Sequence, residues 1–91
     1  MAAQRKQKAF VLVKVEPGHE RDVMDTLFRL DEVKEVHIIP GEWDIIAVVE
    51  AEKGIVASGD ERVYDIVLDK IEKTKHVQDT NTLVSHFAKS K

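Results

Sequence analysis

The sequence predicts an α+β domain in which two helices cover one face of a four-stranded antiparallel sheet. Four stretches are rich in β-branched and other apolar residues, and two stretches between them carry apolar residues at helical spacing. Together they give the order β-α-β-β-α-β. A chain of 91 residues can build one modest core. We therefore expect a single domain over residues 9–91, preceded by a flexible basic arm over residues 1–8.

The first strand is predicted over residues 9–15, and it is apolar on both faces, as is typical of a central strand. One face carries Val11, Val13 and Val15, and the other carries Phe10 and Leu12. Pro17 and Gly18 end the strand. A helix follows over residues 19–30, where Val23, Leu27 and Leu30 have the i, i+4 and i+7 spacing of one helix face.

The central hairpin consists of a strand over residues 33–40, a turn at 41–42 and a strand over 43–51. Pro40 cannot donate to a β-ladder, so the first of these strands lies at a sheet edge or ends there. The second strand has apolar residues on both parities, namely Ile45, Ile46, Val48 and Val49. Such a strand needs cover on both of its faces.

The second half begins with a loop over residues 52–60 that contains two glycines. Either Ser58, which has S-x-x-E spacing with Glu61, or Asp60 can cap a second helix over residues 61–74. The inward stripe of this helix is Val63, Ile66, Val67 and Ile71. The last strand is predicted over residues 77–87, with an unusually polar alternation.

This order of elements is that of a ferredoxin-like domain, a two-layer sandwich with both helices on one side of the sheet. The opposite face of the first and third strands is then bare, and it bears either the Phe10 and Leu12 set or the valine set. A large apolar sheet face rarely stays in water. The simplest cover is a second copy of the chain, so we expect a homodimer that packs sheet against sheet.

Composition excludes several classes of function. The chain has no cysteine, which rules out disulfides and thiolate chemistry, and it has no apolar run of about 20 residues. We therefore expect a cytoplasmic protein without membrane contact. Five of the 14 basic residues lie in residues 1–8 and 88–91, which leaves nine against 17 acidic residues, a formal charge of −8 for the body of the domain. Such a body repels phosphates, so direct nucleic-acid binding is not expected.

The hairpin carries a more specific signal. Gly41-Glu42-Trp43-Asp44, between one strand and an apolar one, resembles the G-x-[aromatic]-D turn of the effector-binding (RAM) module of Lrp/AsnC transcription regulators. Residues 77–84, in which a valine precedes alternating threonines and an apolar strand, are similar to the end of such modules, and Pro17-Gly18 also fits. The resemblance spans residues 9–87.

The resemblance implies a fold, an assembly and a ligand. The fold is the one expected above, and dimers often assemble further into rings such as octamers. An amino acid or related metabolite binds near the hairpin turn at subunit interfaces. By position, the ligand-binding residues would be Gly41, Glu42, Trp43, Asp44, Thr80, Asn81 and Thr82.

Because only eight residues precede the first strand, we expect a stand-alone module without a helix-turn-helix domain. It would act on transcription indirectly, through its own assembly or through hetero-assembly with full-length relatives. The loop over 52–60 is longer than the family norm.

Other interpretations remain open. In these interpretations Gly41 serves only the backbone of the turn, Trp43 is a core or interface anchor, and Asp44 bonds back to N–H groups of the turn. An ACT-type sensor would place its ligand at Gly18 instead, and a ligand-free assembly module would have no site. Some dimeric ferredoxin-like domains are enzymes, but no catalytic motif, cofactor site or metal-binding spacing links the four histidines, which are His19, His37, His76 and His86. We expect no enzyme activity.

Overall fold

A computed structural model describes residues 6–52 and 59–91, and it confirms the α+β ferredoxin-like class. The elements are β1 (Lys6–Val15), α1 (Glu20–Phe28), β2 (Val33–Ile38), β3 (Ile45–Glu52), α2 (Gly59–Ile66), a π-helical continuation of α2 (Val67–Ile71), and β4 (Val77–Val84). The strands form one antiparallel sheet in the order β2-β3-β1-β4. The two strands predicted to be apolar on both faces, β1 and β3, are therefore the two central strands.

The core lies between the sheet and the two helices. Alternate residues of β1 and β3 point into it, as the period of two requires, and meet the inward stripes of α1 and α2. The largest fully buried side chains are Leu27, Ile45, Ile71, Val11, Val13, Val23, Val49 and Val63. The valine set of β1 therefore faces the helices.

The other face of the sheet carries no element of the described residues. Phe10, Leu12 and Ile46 lie there partly buried, and Leu83 on β4 is 50% exposed. Phe10 pairs with Val48 on one side and Leu83 on the other, so these side chains form a continuous apolar strip across three strands. We call this strip, Phe10, Leu12, Ile46, Val48 and Leu83, the open face.

Both ends of the sheet differ from the sequence prediction. Residues 6–8, assigned above to a flexible arm, form the start of β1: Lys6 pairs with Glu52, and the buried Gln7 side chain donates to the carbonyl oxygens of Lys8 and Ser85. Residues 1–5 lie outside the described residues. Strand β4 ends at Val84 rather than at residue 87, because the last rung of its ladder with β1 joins Ala9 to Val84.

The hairpin strands are shorter than predicted. Strand β2 ends at Ile38 and β3 begins at Ile45. The Ile39 N–H donates to the Asp44 carbonyl oxygen at 2.9 Å, and this hydrogen bond closes a turn that is longer than the two residues predicted. Strand β2 is an edge strand, as Pro40 indicated.

The second helix begins at Gly59, so Asp60 is at its second position and not at the N-cap position before it. The alternative cap, Ser58, lies outside the described residues, as does most of the predicted loop over 52–60. The helix was also expected to stay α-helical to residue 74. Instead the Glu72 N–H donates to the Val67 carbonyl oxygen at 2.8 Å, five residues back, which defines the π-helical segment. Apolar spacing could not reveal this, since Val67 and Ile71 are buried in either form.

Candidate functional site

The β2–β3 turn contains the residues expected at a ligand site, and its backbone requires glycine. Gly41 has φ +128°, a conformation that L-residues rarely adopt. A Cβ atom at this position would meet no atom within 4 Å. Gly41 is therefore needed for its backbone conformation and not for space.

Asp44 fastens this turn to β1. Its N–H donates to the Val13 carbonyl oxygen at 3.1 Å, and its Oδ2 accepts from the Val15 N–H at 2.8 Å. Val15 is buried, so this N–H has little access to water. The carboxylate therefore completes the hydrogen bonding at the end of β1. The local role considered for Asp44 was a bond back to N–H groups of the turn, but the structure shows its carboxylate bound to the central strand β1 instead.

Lys14 makes a second connection between β1 and the turn. Its Nζ donates to the Glu42 carbonyl oxygen at 3.0 Å and lies 5.8 Å from the centroid of the Trp43 ring. An exposed cation over an aromatic ring contributes about 0.5–1 kcal/mol. The Glu42 side chain points to solvent. Trp43 is partly buried.

The polar residues of β4 are divided between the two faces of the sheet. Thr80 and Thr82 pair with Val13 and Val11 and share their helix side, whereas Asn81 pairs with Leu12 on the side of the open face. The Thr80 hydroxyl donates to Glu72 Oε2 at 2.9 Å.

Within one chain, the turn and β4 lie on opposite sides of β1. Asp44 contacts β1 at Val13 and Val15, and Thr80 pairs with Val13 from the other side. Strands are spaced by about 4.8 Å, so the two groups are roughly 10 Å apart. The structure therefore brings Gly41, Glu42, Trp43 and Asp44 together, but it does not join them to Thr80, Asn81 and Thr82 around one small cavity.

An open cleft of about 470 Å³ does border the turn, on the helix side. It is lined by Glu20, Arg21, Ile38, Ile39, Pro40 and Asp44. Arg21 supplies one cation, Glu20 and Asp44 supply carboxylates, and the end of β2 supplies an apolar wall. Arg21 and Glu20 were not predicted as site residues. The fold topology could have indicated these two residues. Helix α1 covers β2, so the first turn of α1, which contains both residues, lies beside the end of that strand.

A larger cleft of about 550 Å³ lies at the other end of the sheet, against α2. Four of its charged side chains form two pairs: Lys70 Nζ donates to Glu32 Oε2 at 2.7 Å, and Lys6 Nζ lies 4.0 Å from Glu50 Oε1. The hydrogen bond from Lys70 lowers the pKa of the Glu32 carboxyl below its usual value of 4.5, despite partial burial that acts in the other direction. This cleft contains none of the predicted site residues, and we do not assign it a ligand.

The histidines are less scattered than the sequence indicated. His37 is on the edge strand β2, where it lies 3.0 Å from Glu35, and His86 follows β4 at the opposite edge. His19 precedes α1 and His76 precedes β4, yet their rings stack with centroids 3.5 Å apart. No sequence spacing links these two histidines, but the fold places them side by side.

The matching family model decides the classification. The model of the Lrp/AsnC ligand-binding domain covers residues 8–86. This chain belongs to the Lrp/AsnC family. The resemblance noted at the hairpin is therefore confirmed, and the domain is a regulatory ligand-binding one.

Individual relatives support the same family assignment. An uncharacterized HTH-type transcriptional regulator of Pyrococcus abyssi is 38% identical over 80 residues, which are 85% of this chain and 49% of the relative. The chain thus spans about half the length of the curated regulators it matches. The solved structure of hypothetical protein PHS023 from Pyrococcus horikoshii is 30% identical, covers 90% of this chain and 92% of its own, and superposes with a TM-score of 0.74.

A more distant solved structure shares the fold. It is the feast or famine regulatory protein Rv3291c from M. tuberculosis, complexed with L-methionine. It is 22% identical, covers 93% of this chain and 53% of its own, and has a TM-score of 0.69.

Across residues 6–52 and 59–91, every helix is too short or too polar to span a membrane.

Proposed function

We propose that this chain senses a free amino acid, or a metabolite with the same charged groups, at the cleft beside the Gly41–Asp44 turn. The family supplies the class of function, a regulatory ligand-binding domain. The observation that carries the finer proposal is the content of the cleft, in which Arg21 and two carboxylates surround an apolar wall.

Each group of an amino acid has a counterpart in this cleft. A guanidinium such as that of Arg21 binds a carboxylate through two parallel hydrogen bonds. An ammonium group can donate to Glu20 or to Asp44, since a carboxylate that holds one N–H still accepts others. Ile38, Ile39 and Pro40 offer contact to an apolar side chain. The chemistry is similar to that of L-methionine, the ligand named for the M. tuberculosis regulator.

The roles proposed for the other site residues depend on a second copy of the chain. Gly41, Glu42 and Trp43 would border the ligand from one subunit, because they form the turn above the cleft. Thr80, Asn81 and Thr82 lie about two strand spacings away across β1, so they are better placed to reach a ligand held by a neighbouring subunit. A site at a subunit interface accommodates both groups of residues.

We propose a homodimer that packs open face against open face. Five apolar side chains across three strands support this arrangement, since a continuous apolar strip on a sheet usually marks an interface. Dimers would associate further into a ring such as an octamer.

The acidic body of the domain favours an indirect effect on transcription, through changes in this assembly or through co-assembly with full-length Lrp/AsnC regulators.

Calorimetric titration of the chain with each of the 20 L-amino acids tests the ligand proposal. We expect at least one apolar amino acid to bind, and Arg21→Gln to weaken it by about tenfold or more, because a charge-assisted pair is lost. Arg29→Gln is the matched control, since Arg29 is an exposed arginine at the other end of α1 and outside the cleft.

The outcomes separate the alternatives. Absence of heat with every amino acid, or equal weakening in both arginine variants, would contradict the hairpin site. The first result would favour a ligand-free assembly module. Binding that survives Arg21→Gln but is lost in Gly18→Asn would favour an ACT-like site. Asparagine tolerates the φ of +90° that Gly18 adopts, so this variant is expected to fold.

A further inference from the structure

Two turns at one end of the sheet bring together three side chains that bind metals. Glu16 directly follows β1, His19 lies just before α1, and His76 lies just before β4. One ligand atom from each residue lies within 4.8 Å of the others. The residues meet because β1 and β4 are antiparallel neighbours, with Val15 paired to Val77, so the end of one strand adjoins the start of the other.

Backbone hydrogen bonds hold this cluster in place. The Glu16 N–H donates to the His76 carbonyl oxygen at 3.0 Å, and the His19 N–H donates to the Glu16 carbonyl oxygen at 3.1 Å. His76 has φ +73°, the single positive φ among the non-glycine residues that the structure describes. Positive φ is uncommon for residues other than glycine, although histidine is one of those enriched there, and such residues cluster at functional sites. The arrangement of the three residues is therefore fixed by the main chain and not only by side-chain contacts.

The side chains offer the right atoms for an ion. The two imidazole rings are nearly parallel, at 12°, and His76 Nδ1 lies 3.2 Å from Glu16 Oε2. His19 Nδ1 is inaccessible to solvent and has no hydrogen-bond partner among the described residues, with Asp22 Oδ2 3.5 Å away. The Glu16 side chain is half-exposed, so water can reach the cluster and complete a coordination shell.

We propose that Glu16, His19 and His76 bind a divalent transition-metal ion of the zinc class. Two imidazole nitrogens and one carboxylate oxygen form a donor set that Zn²⁺ uses, with water as a fourth ligand, whereas Mg²⁺ and Ca²⁺ prefer oxygen donors alone. Zinc–ligand distances of about 2.0–2.2 Å place tetrahedral ligand atoms roughly 3.4 Å apart. An ion would therefore require side-chain rotations that shorten the present spacing and turn the stacked imidazole rings toward a common point.

The ion would cross-link the β1–α1 turn to the turn before β4. This site does not depend on the amino-acid cleft, because its three ligands differ from the residues that line that cleft.

Zinc titration of the untagged full chain tests the proposal. Chelator-treated protein competes with a chromophoric zinc indicator, and we expect one ion to bind per chain. His19→Ala, Glu16→Gln and His76→Asn should each weaken binding by about tenfold or more, since loss of an outer-shell partner alone costs 10–100-fold. Asparagine at position 76 is chosen because it tolerates a positive φ.

The matched control is His37→Ala. His37 and Glu35 form an exposed histidine–carboxylate pair at 3.0 Å, outside the three-residue cluster. We expect this variant to bind zinc like the wild-type chain, and circular dichroism to show that all variants are folded. The proposal is overturned if the wild-type chain binds zinc no more tightly than folded His19→Ala and His76→Asn, or if His37→Ala loses as much affinity as they do.

Discussion

Asp44 holds the hairpin to β1, and its removal should destabilise the fold before it affects any ligand. In Asp44→Ala the Val15 N–H loses its acceptor, and Val15 is only 3% exposed, so water cannot readily replace the carboxylate. A hydrogen bond to a charged group at 2.8 Å contributes about 1.5–3 kcal/mol, and a buried unpaired N–H costs a similar amount. We expect a loss of about 2 kcal/mol in the free energy of unfolding, and a Tm lower by roughly 8–16 °C for a domain of this size.

Thermal and urea unfolding measure this effect at a fixed protein concentration, since self-association would also change Tm. Asp44→Asn keeps an oxygen acceptor and should recover about half of the loss. Glu42→Ala is the matched control, because it removes a carboxylate of the same turn whose side chain is exposed, and it should change stability by less than about 0.5 kcal/mol. If Asp44→Ala unfolds no more easily than Glu42→Ala, the assignment of Asp44 as a structural anchor is wrong.

Three further variants probe other parts of the account. Lys70→Met removes the hydrogen bond that lowers the pKa of Glu32, so the stabilisation from this pair is present above the usual pKa of 4.5 and is lost as the pH falls through the lowered value. Urea unfolding should therefore show a difference of about 0.5 kcal/mol at pH 7 that shrinks at pH 3, and a difference independent of pH would contradict the assignment. Gly41→Ala should cost about 1–2 kcal/mol in the same assay, because alanine is strained at φ +128° even though its Cβ has space, and an unchanged stability would show that the turn relaxes freely. Leu12→Glu on the open face should reduce the mass of the assembly in sedimentation velocity, whereas Leu68→Glu, which replaces an exposed leucine on the outer side of the helical layer, should leave it unchanged.

Most of the fold follows from patterns of local sequence. Strands β1 and β3 are apolar on both parities, and they occupy the two central positions that this predicts. Element ends depend on contacts that local patterns do not contain. Residues 6–8 are polar, yet they join β1 because Glu52 and neighbouring residues of β3 provide partners. The π-helical segment is hidden for a similar reason, since the same residues face the core in either helix type.

The candidate site was only partly predictable. The Gly41–Asp44 turn stands out in the sequence because a glycine, an aromatic residue and an acid separate two apolar runs. Arg21 does not stand out, because its proximity to that turn depends on how α1 packs over β2. His19 and His76 are 57 positions apart in the sequence, and their approach depends on the pairing of β1 with β4, which only the topology of the whole domain reveals.

The central claim is that a second copy of the chain covers the open face. Sedimentation equilibrium of the wild-type chain at micromolar concentration tests it most directly. The account predicts a mass of at least twice the 10.3 kDa of one chain, and larger multiples if dimers close into a ring. A mass of one chain across that range would contradict the dimer and the interface-shared ligand site together.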